Sequence, residues 1–198
     1  MFQPFCHRYY WASAGWNYGQ IFKYYDTELG FYMAIFDPIF IGLLSTESLQ
    51  IVSQGIELTR MQKVEMISDY KTAHALLDVC VLPNLQSKNC GTCVKCLRTL
   101  LSIELLGKLD LFSNVFDIDK YLKSWARKRF IARQVIRNGS DPYAEDFVCF
   151  ARKKGISLWT KSSISAFVVE YVRYLLTKVG IVRRLFLKYM LKRKNVRL

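Results

Sequence analysis

The sequence has no uncharged run long enough to cross a bilayer. The longest, between Arg8 and Lys23, is fourteen residues of mostly Tyr, Trp, Gly, Ser and Asn, against the ~18 apolar residues that a spanning helix needs. No transmembrane helix is expected. The ten glycines are never adjacent, which leaves no glycine-rich cradle for a phosphate. Six cysteines in 198 residues are too few for a secreted disulfide scaffold. An apolar signal-peptide core is also lacking. Ala12-Ser13-Ala14 has the form of a cleavage site, but aromatic residues with His7 and Arg8 stand before it. A cytoplasmic protein is expected, and Asn138-Gly139-Ser140 then reads as an Asn-Gly turn rather than a glycosylation acceptor.

What is present is a foldable composition, 52% apolar and 23% charged, long enough to bury a core. The net charge of +13 is unevenly placed. Residues 1–119 carry 9 Lys and Arg against 12 Asp and Glu, net −3, whereas residues 120–198 carry 20 against 4, net +16. Such a cationic segment repels itself unless a polyanion, an anionic membrane or an acidic surface offsets it. Residues 1–36 are crowded with aromatics without a clean period, as though the chain were entered in mid-domain with large side chains packing on something upstream.

Asp37-Pro38 punctuates the chain, because the residue before proline is pushed out of the α region. Ser45-Thr46-Glu47-Ser48 then reads as a helix start, continued by Leu49, Val52 and Ile56 and closed at Gly55. Thr59 begins a second helix with Met61, Val64 and Ile67 on one face, and Thr72 to Val79 a third with Ala73, Leu76 and Leu77 inward. Pro83, Asn84, Ser87, Asn89 and Gly91 mark a loop. The run from Leu97 to Leu106 is helical, ended by Gly107 and Lys108. Beyond residue 120 helices are expected throughout, with turns at Asn138–Pro142 and near Gly155. In the last of them Ile164, Val168, Tyr171 and Leu175 begin an apolar stripe flanked by Lys and Arg, with a break at Gly180. Strands are expected only before Asp37-Pro38 and around Val79 to Leu82.

Cysteine is concentrated where it matters. Cys90-Gly91-Thr92-Cys93-Val94-Lys95-Cys96 is a C-x2-C-x2-C run, and Cys80 precedes it across the loop. Two-residue spacing turns neighbouring sulfurs toward one centre, Gly91 permits the tight turn, and an S4 tetrahedron with arms of ~2.3 Å suits structural zinc. A bacterial ferredoxin run needs a further cysteine three residues on, but Arg98, Thr99 and Leu100 follow Cys96. A redox C-x-x-C has no use for a third thiol, and disulfides fit poorly without a secretion signal. Cys80, Cys90, Cys93 and Cys96 are therefore read as a closed zinc site, with His74 as a reserve ligand for Cys80. Cys6 and Cys149 are unassigned, and no serine or cysteine nucleophile accompanies His7 or His74.

Asp37-Pro38, Ser45-Thr46-Glu47, the segment from Thr59 to Glu65 containing Arg60 and Lys63, Cys80, and Asn89 through Thr99 come in an order that resembles a known family. Over roughly residues 37–107 the chain is similar to the C-terminal part of the 7-cyano-7-deazaguanine synthase-like PP-loop ATP pyrophosphatases, relatives of the adenine nucleotide alpha hydrolases. The resemblance implies a structural zinc on the four cysteines and, at Arg60 and Lys63, the edge of a nucleotide and substrate pocket. The expected fold class is mainly α, which the resemblance makes the C-terminal remnant of an α/β, Rossmann-like nucleotide-binding domain of HUP type with a zinc loop; the basic helical C-terminal region is read from the residues and has no counterpart in the family. The expected division is 1–114 and 115–198. The family's S-G-G-x-D-S loop is missing, so ATP is expected only if another polypeptide or segment supplies the phosphate-binding half. Two other functions remain open. One is a zinc-stabilised module gripping RNA or DNA, and the other is a cationic amphipathic helix on an anionic membrane.

Overall fold

The computed structural model describes residues 8–13, 17–24, 40–80, 89–158, 164–178 and 180. Asp37-Pro38, most of the aromatic segment before it, the loop at Pro83, Cys6, His7 and the chain after Gly180 fall outside them.

The fold is mainly helical. Strands β1 (Arg8–Ser13) and β2 (Leu49–Gln54) pair in parallel, Arg8 opposite Leu49 and Ser13 opposite Gln54, with helix α1 (Tyr18–Tyr24) between them in sequence. β2 corrects the helix expected from Ser45 onward. Leu49, Ile51 and Ser53 are half-buried and alternate with exposed Gln50, Val52 and Gln54, a period of 2. Ser45 and Thr46 do not cap a helix: the Ile51 N–H donates to Ser45 Oγ at 2.9 Å and the Leu49 N–H to Thr46 Oγ1 at 3.1 Å. The expected strand at Val79 and Cys80 is absent.

Helix α2 (Arg60–Ile67) starts at Thr59, as its sequence predicts. The Gln62 N–H donates to Thr59 Oγ1 and the Thr59 N–H to Gln62 Oε1 at 2.8 Å, a reciprocal cap. Met61 and Val64 are buried, but Ile67 is exposed. Helix α3 (Lys71–Leu76) is shorter than the expected Thr72–Val79, and Leu76 faces solvent. Helix α4 (Val94–Leu105) is the centre of the core, with Cys96, Leu97, Leu100, Leu101, Ile103 and Leu105 all buried. It ends in a Schellman motif. The Lys108 N–H donates to the Ile103 carbonyl and the Gly107 N–H to the Glu104 carbonyl, with Gly107 at φ +69°.

Helices α5 (Ile118–Lys123), α6 (Trp125–Ile136), α7 (Pro142–Lys153) and α8 (Ile164–Lys178) follow, with turns where Asn138–Pro142 and Gly155 predict them. One apolar cluster runs from Met61 through α4 to Phe130, Phe147 and Ala151, and so crosses residue 114. Glu104 of α4 accepts from Tyr121 Oη at 2.7 Å and pairs with Arg127, tying α5 and α6 to the central helix.

The stripe read on α8 is reversed in the structure. Ile164, Val168, Tyr171 and Leu175 are exposed, and the buried residues are Ala166 and Glu170. Small Ala166 allows close approach to α6, and Glu170 meets Arg129 at 2.6 Å and Arg133 at 3.2 Å.

Candidate metal centre

The four cysteines converge. One sulfur from each of Cys80, Cys90, Cys93 and Cys96 lies within 4.8 Å of all the others. A tetrahedron with arms of ~2.3 Å has edges of about 3.8 Å, and Cys90 Sγ lies 3.8 Å from Cys96 Sγ. The donor set is compatible with a single metal ion.

Local sequence builds this geometry. Gly91, buried at φ +69°, turns the chain between the first two ligands of the run. The Cys93 N–H then donates to Cys90 Sγ at 3.3 Å, and the Cys96 N–H to Cys93 Sγ at 3.4 Å. Cys93 is also the N-cap of α4, so the start of that helix and the second half of the site are one structure. The Thr92 hydroxyl adds a contact to Cys90 Sγ at 3.6 Å. Such donors orient thiolates and disperse their charge.

The fourth ligand arrives from the far side of the loop, and Asn89 brings it there. Asn89 is 7% exposed. Its Oδ1 accepts from the Val79 N–H at 2.8 Å, and its Nδ2 donates to the carbonyls of Leu77 and Val115 at 2.8 and 3.1 Å. Its backbone N–H donates to Val115 as well. The residue next to Cys90 thus clamps the segment that ends in Cys80. The sequence shows Asn89 only as one polar residue of a loop. Three amide hydrogen bonds to distant backbone have no local signature, so sequence reasoning missed its role.

The electrostatics are uneven across the cluster. Burial opposes ionisation of Cys90, but the N–H groups of Thr92 and Cys93 and the Thr92 hydroxyl outweigh it and bring this thiol to about 6. Burial pushes the Cys96 thiol up, and its hydrogen bond with Cys93 adds to the effect. A divalent cation among four such sulfurs offsets their mutual repulsion and deprotonates coordinating thiols outright.

His74 is not drawn into the site. Its Nε2 lies 2.8 Å from the Ser68 carbonyl and its ring sits edge-on to Phe112, at 4.9 Å between centroids. Cys149 is exposed on α7, away from the cluster.

Arg60 and Lys63 lie on α2, which packs against α4. Burial lowers the pKa of Arg60, and the neighbouring charge of Arg98 lowers it further. Burial, then the charge of Arg60, lower that of Lys63. Lys63 is 9% exposed and its side chain runs over Gly55, whose φ of +69° turns the chain out of β2.

No family model, curated protein or solved structure matches the chain. Among the described residues no helix is long and apolar enough to cross a membrane.

Proposed function

We propose that Cys80, Cys90, Cys93 and Cys96 hold one structural zinc ion, and that the chain is the zinc-stabilised C-terminal portion of a 7-cyano-7-deazaguanine synthase-like, ATP-dependent PP-loop enzyme. The observation that carries the metal reading is the convergence of four sulfurs within 4.8 Å. Thiolates favour zinc over hard cations, and four protein ligands leave no open coordination position. The metal's role is to cross-link residues 80–96 at the entrance of α4. It does no chemistry on a substrate.

The enzyme reading rests on the resemblance over roughly residues 37–107, and it is supported by the parallel pairing of β1 with β2. In this reading Arg60 and Lys63 border a nucleotide or substrate pocket. The phosphate loop comes from another polypeptide or segment, so the 198-residue chain is not catalytically competent alone. A cytoplasmic location accords with it.

Two measurements test these readings separately. Metal analysis of the purified chain should find one zinc per molecule, and stoichiometric iron contradicts the site. The chain alone should not turn over ATP, and measurable turnover contradicts the enzyme reading as stated.

A second reading concerns the basic region. Val168, Tyr171, Val172 and Leu175 are exposed on α8, and residues 179–198 carry seven Lys and Arg and no acid. An apolar helix face beside cationic charge suits an anionic membrane surface. Cosedimentation with acidic but not neutral vesicles supports it. Salt-sensitive binding to generic RNA or DNA without vesicle binding would instead favour a nucleic acid.

A further inference from the structure

A cavity of about 290 Å³ lies between α6 and α8. Arg133, Ile136 and Arg137 line it from the end of α6, and Glu170, Arg173 and Tyr174 from α8. On each side these residues stand three and four apart, the spacing that shares one helix face. The volume is that of the smallest ligand pockets, about 300 Å³.

Buried Glu170 is the anchor. It pairs with Arg129 at 2.6 Å and accepts from Arg133 Nε at 3.2 Å. Among the described residues nothing bonds to the terminal nitrogens of Arg133, so they are held at the cavity with their donors unspent. Arg137 reaches Asp141 only at 3.9 Å, an ion pair too long for a hydrogen bond. Arg173 is exposed and pairs with no described residue. Ile136 and the Tyr174 ring supply an apolar wall beside the three guanidinium groups.

The site stays cationic when every neighbouring charge is counted in full. Arg129, Arg133, Arg137, Arg173 and Lys178, whose Nζ lies 5.8 Å from the Tyr174 ring centroid, stand against the carboxylates of Glu170 and Asp141. The C-terminal ends of α6 and α8 add about half a negative charge each, which leaves an excess of about two positive charges. The cavity also faces away from the exposed apolar stripe. At 3.6 residues per turn, Val168, Val172 and Leu175 fall on the side of α8 opposite Glu170, Arg173 and Tyr174. A bilayer against that stripe does not reach the cavity, so its ligand comes from solution.

We propose that this cavity binds a small dianionic phosphomonoester that carries a flat or apolar group. Arg133, Arg137 and Arg173 take the phosphate oxygens, which guanidinium forks match, and Ile136 and Tyr174 take the remainder. The site shares no element with Arg60 and Lys63 and depends on neither the zinc nor the enzyme reading.

The test is titration calorimetry of the 198-residue chain with phenyl phosphate at neutral pH, against inorganic phosphate and phenol at equal ionic strength. Phenyl phosphate should bind saturably, one per chain and at least tenfold more tightly than inorganic phosphate, and phenol should not bind. Arg137→Met and Arg173→Met, both at exposed positions, should melt with the parent and each weaken binding at least tenfold. Arg152→Met, which removes an exposed cation of α7, should leave it unchanged. Tyr174→Leu should shrink the preference for phenyl phosphate over inorganic phosphate. The proposal is overturned by absence of saturable binding, by inorganic phosphate binding as tightly, or by an equal loss in Arg152→Met, which would mean diffuse charge rather than a site. Two competition arms check the source of the phosphate. Vesicles containing phosphatidate should not displace phenyl phosphate, and neither should single-stranded RNA; displacement by either would assign the cavity to a lipid headgroup or a nucleic acid and overturn the small-ligand claim.

Discussion

Helices α4 and α8 are both amphipathic in sequence and are held in opposite ways. α4 buries eight of its twelve residues, begins on a cysteine of the sulfur cluster and ends in a Schellman motif. α8 buries only Ala166 and Glu170 of its fifteen, and turns Ile164, Val168, Tyr171 and Leu175 to solvent. Periodicity reports that a helix has an apolar face. It does not report whether the rest of the chain covers that face, and on α8 the closest packing is made by a small residue and an ion pair.

The sharpest break in this contrast is a pair of equal truncations. Leu100→Ala on α4, where the side chain is fully buried, should cost about 3–5 kcal/mol. Leu175→Ala on α8, where it is 43% exposed, should cost about 0.5 kcal/mol or less. Urea melts of both variants check this, and equal losses would mean that α8 is covered in solution.

Next comes the clamp that leads into α4. Asn89→Ala orphans the Val79 N–H and the Leu77 carbonyl, and should cost about 2–3 kcal/mol. It should also weaken metal binding, because Cys80 is no longer held beside Cys90; competition with a zinc chelator reads that loss.

The corresponding anchor on α8 is Glu170. Its carboxylate meets Arg129 and Arg133, whose side chains are about one-third exposed, so Glu170→Gln should cost about 2 kcal/mol, less than a fully buried pair. Burial opposes its ionisation, but hydrogen bonds from Arg133 and Arg129 outweigh this and hold the carboxyl below the usual range. The stability it contributes is therefore present above the unfolded value of about 4.3 and lost as pH falls through the lower folded value. Between pH 6 and pH 3 the parent should lose more stability than Glu170→Gln, as paired melts at the two pH values can show.

A smaller effect than that of Glu170 belongs to the exit of α4. At Gly107 the φ is +69° and an added Cβ meets nothing within 4 Å. Gly107→Ala therefore pays only for backbone strain, about 1 kcal/mol, measurable as a small drop in Tm.

Much of the site was legible because its determinants are local. The C-x2-C-x2-C spacing, Gly91 and the helix after Cys93 all act within a few residues, and Cys80 is the one upstream cysteine near the loop. The Thr59 cap and the stops at Gly107, Asn138–Pro142 and Gly155 were legible for the same reason. β2 was misread because Leu49, Val52 and Ile56 fit a helical step, while the deciding contacts, strand pairing with β1 and the Ser45 and Thr46 hydrogen bonds, are made in the fold. Asn89 was missed because its side-chain partners, the backbone groups of Leu77, Val79 and Val115, are distant in sequence.

The proposed zinc ion on the four cysteines should fix the entrance of α4. Amide hydrogen exchange of the chain before and after chelation, with zinc counted in both samples, tests it most directly. One zinc per chain is expected and, on its removal, a collapse of protection in the first turns of α4 that exceeds any change in α8. A chain that contains no zinc and keeps α4 fully protected would contradict it.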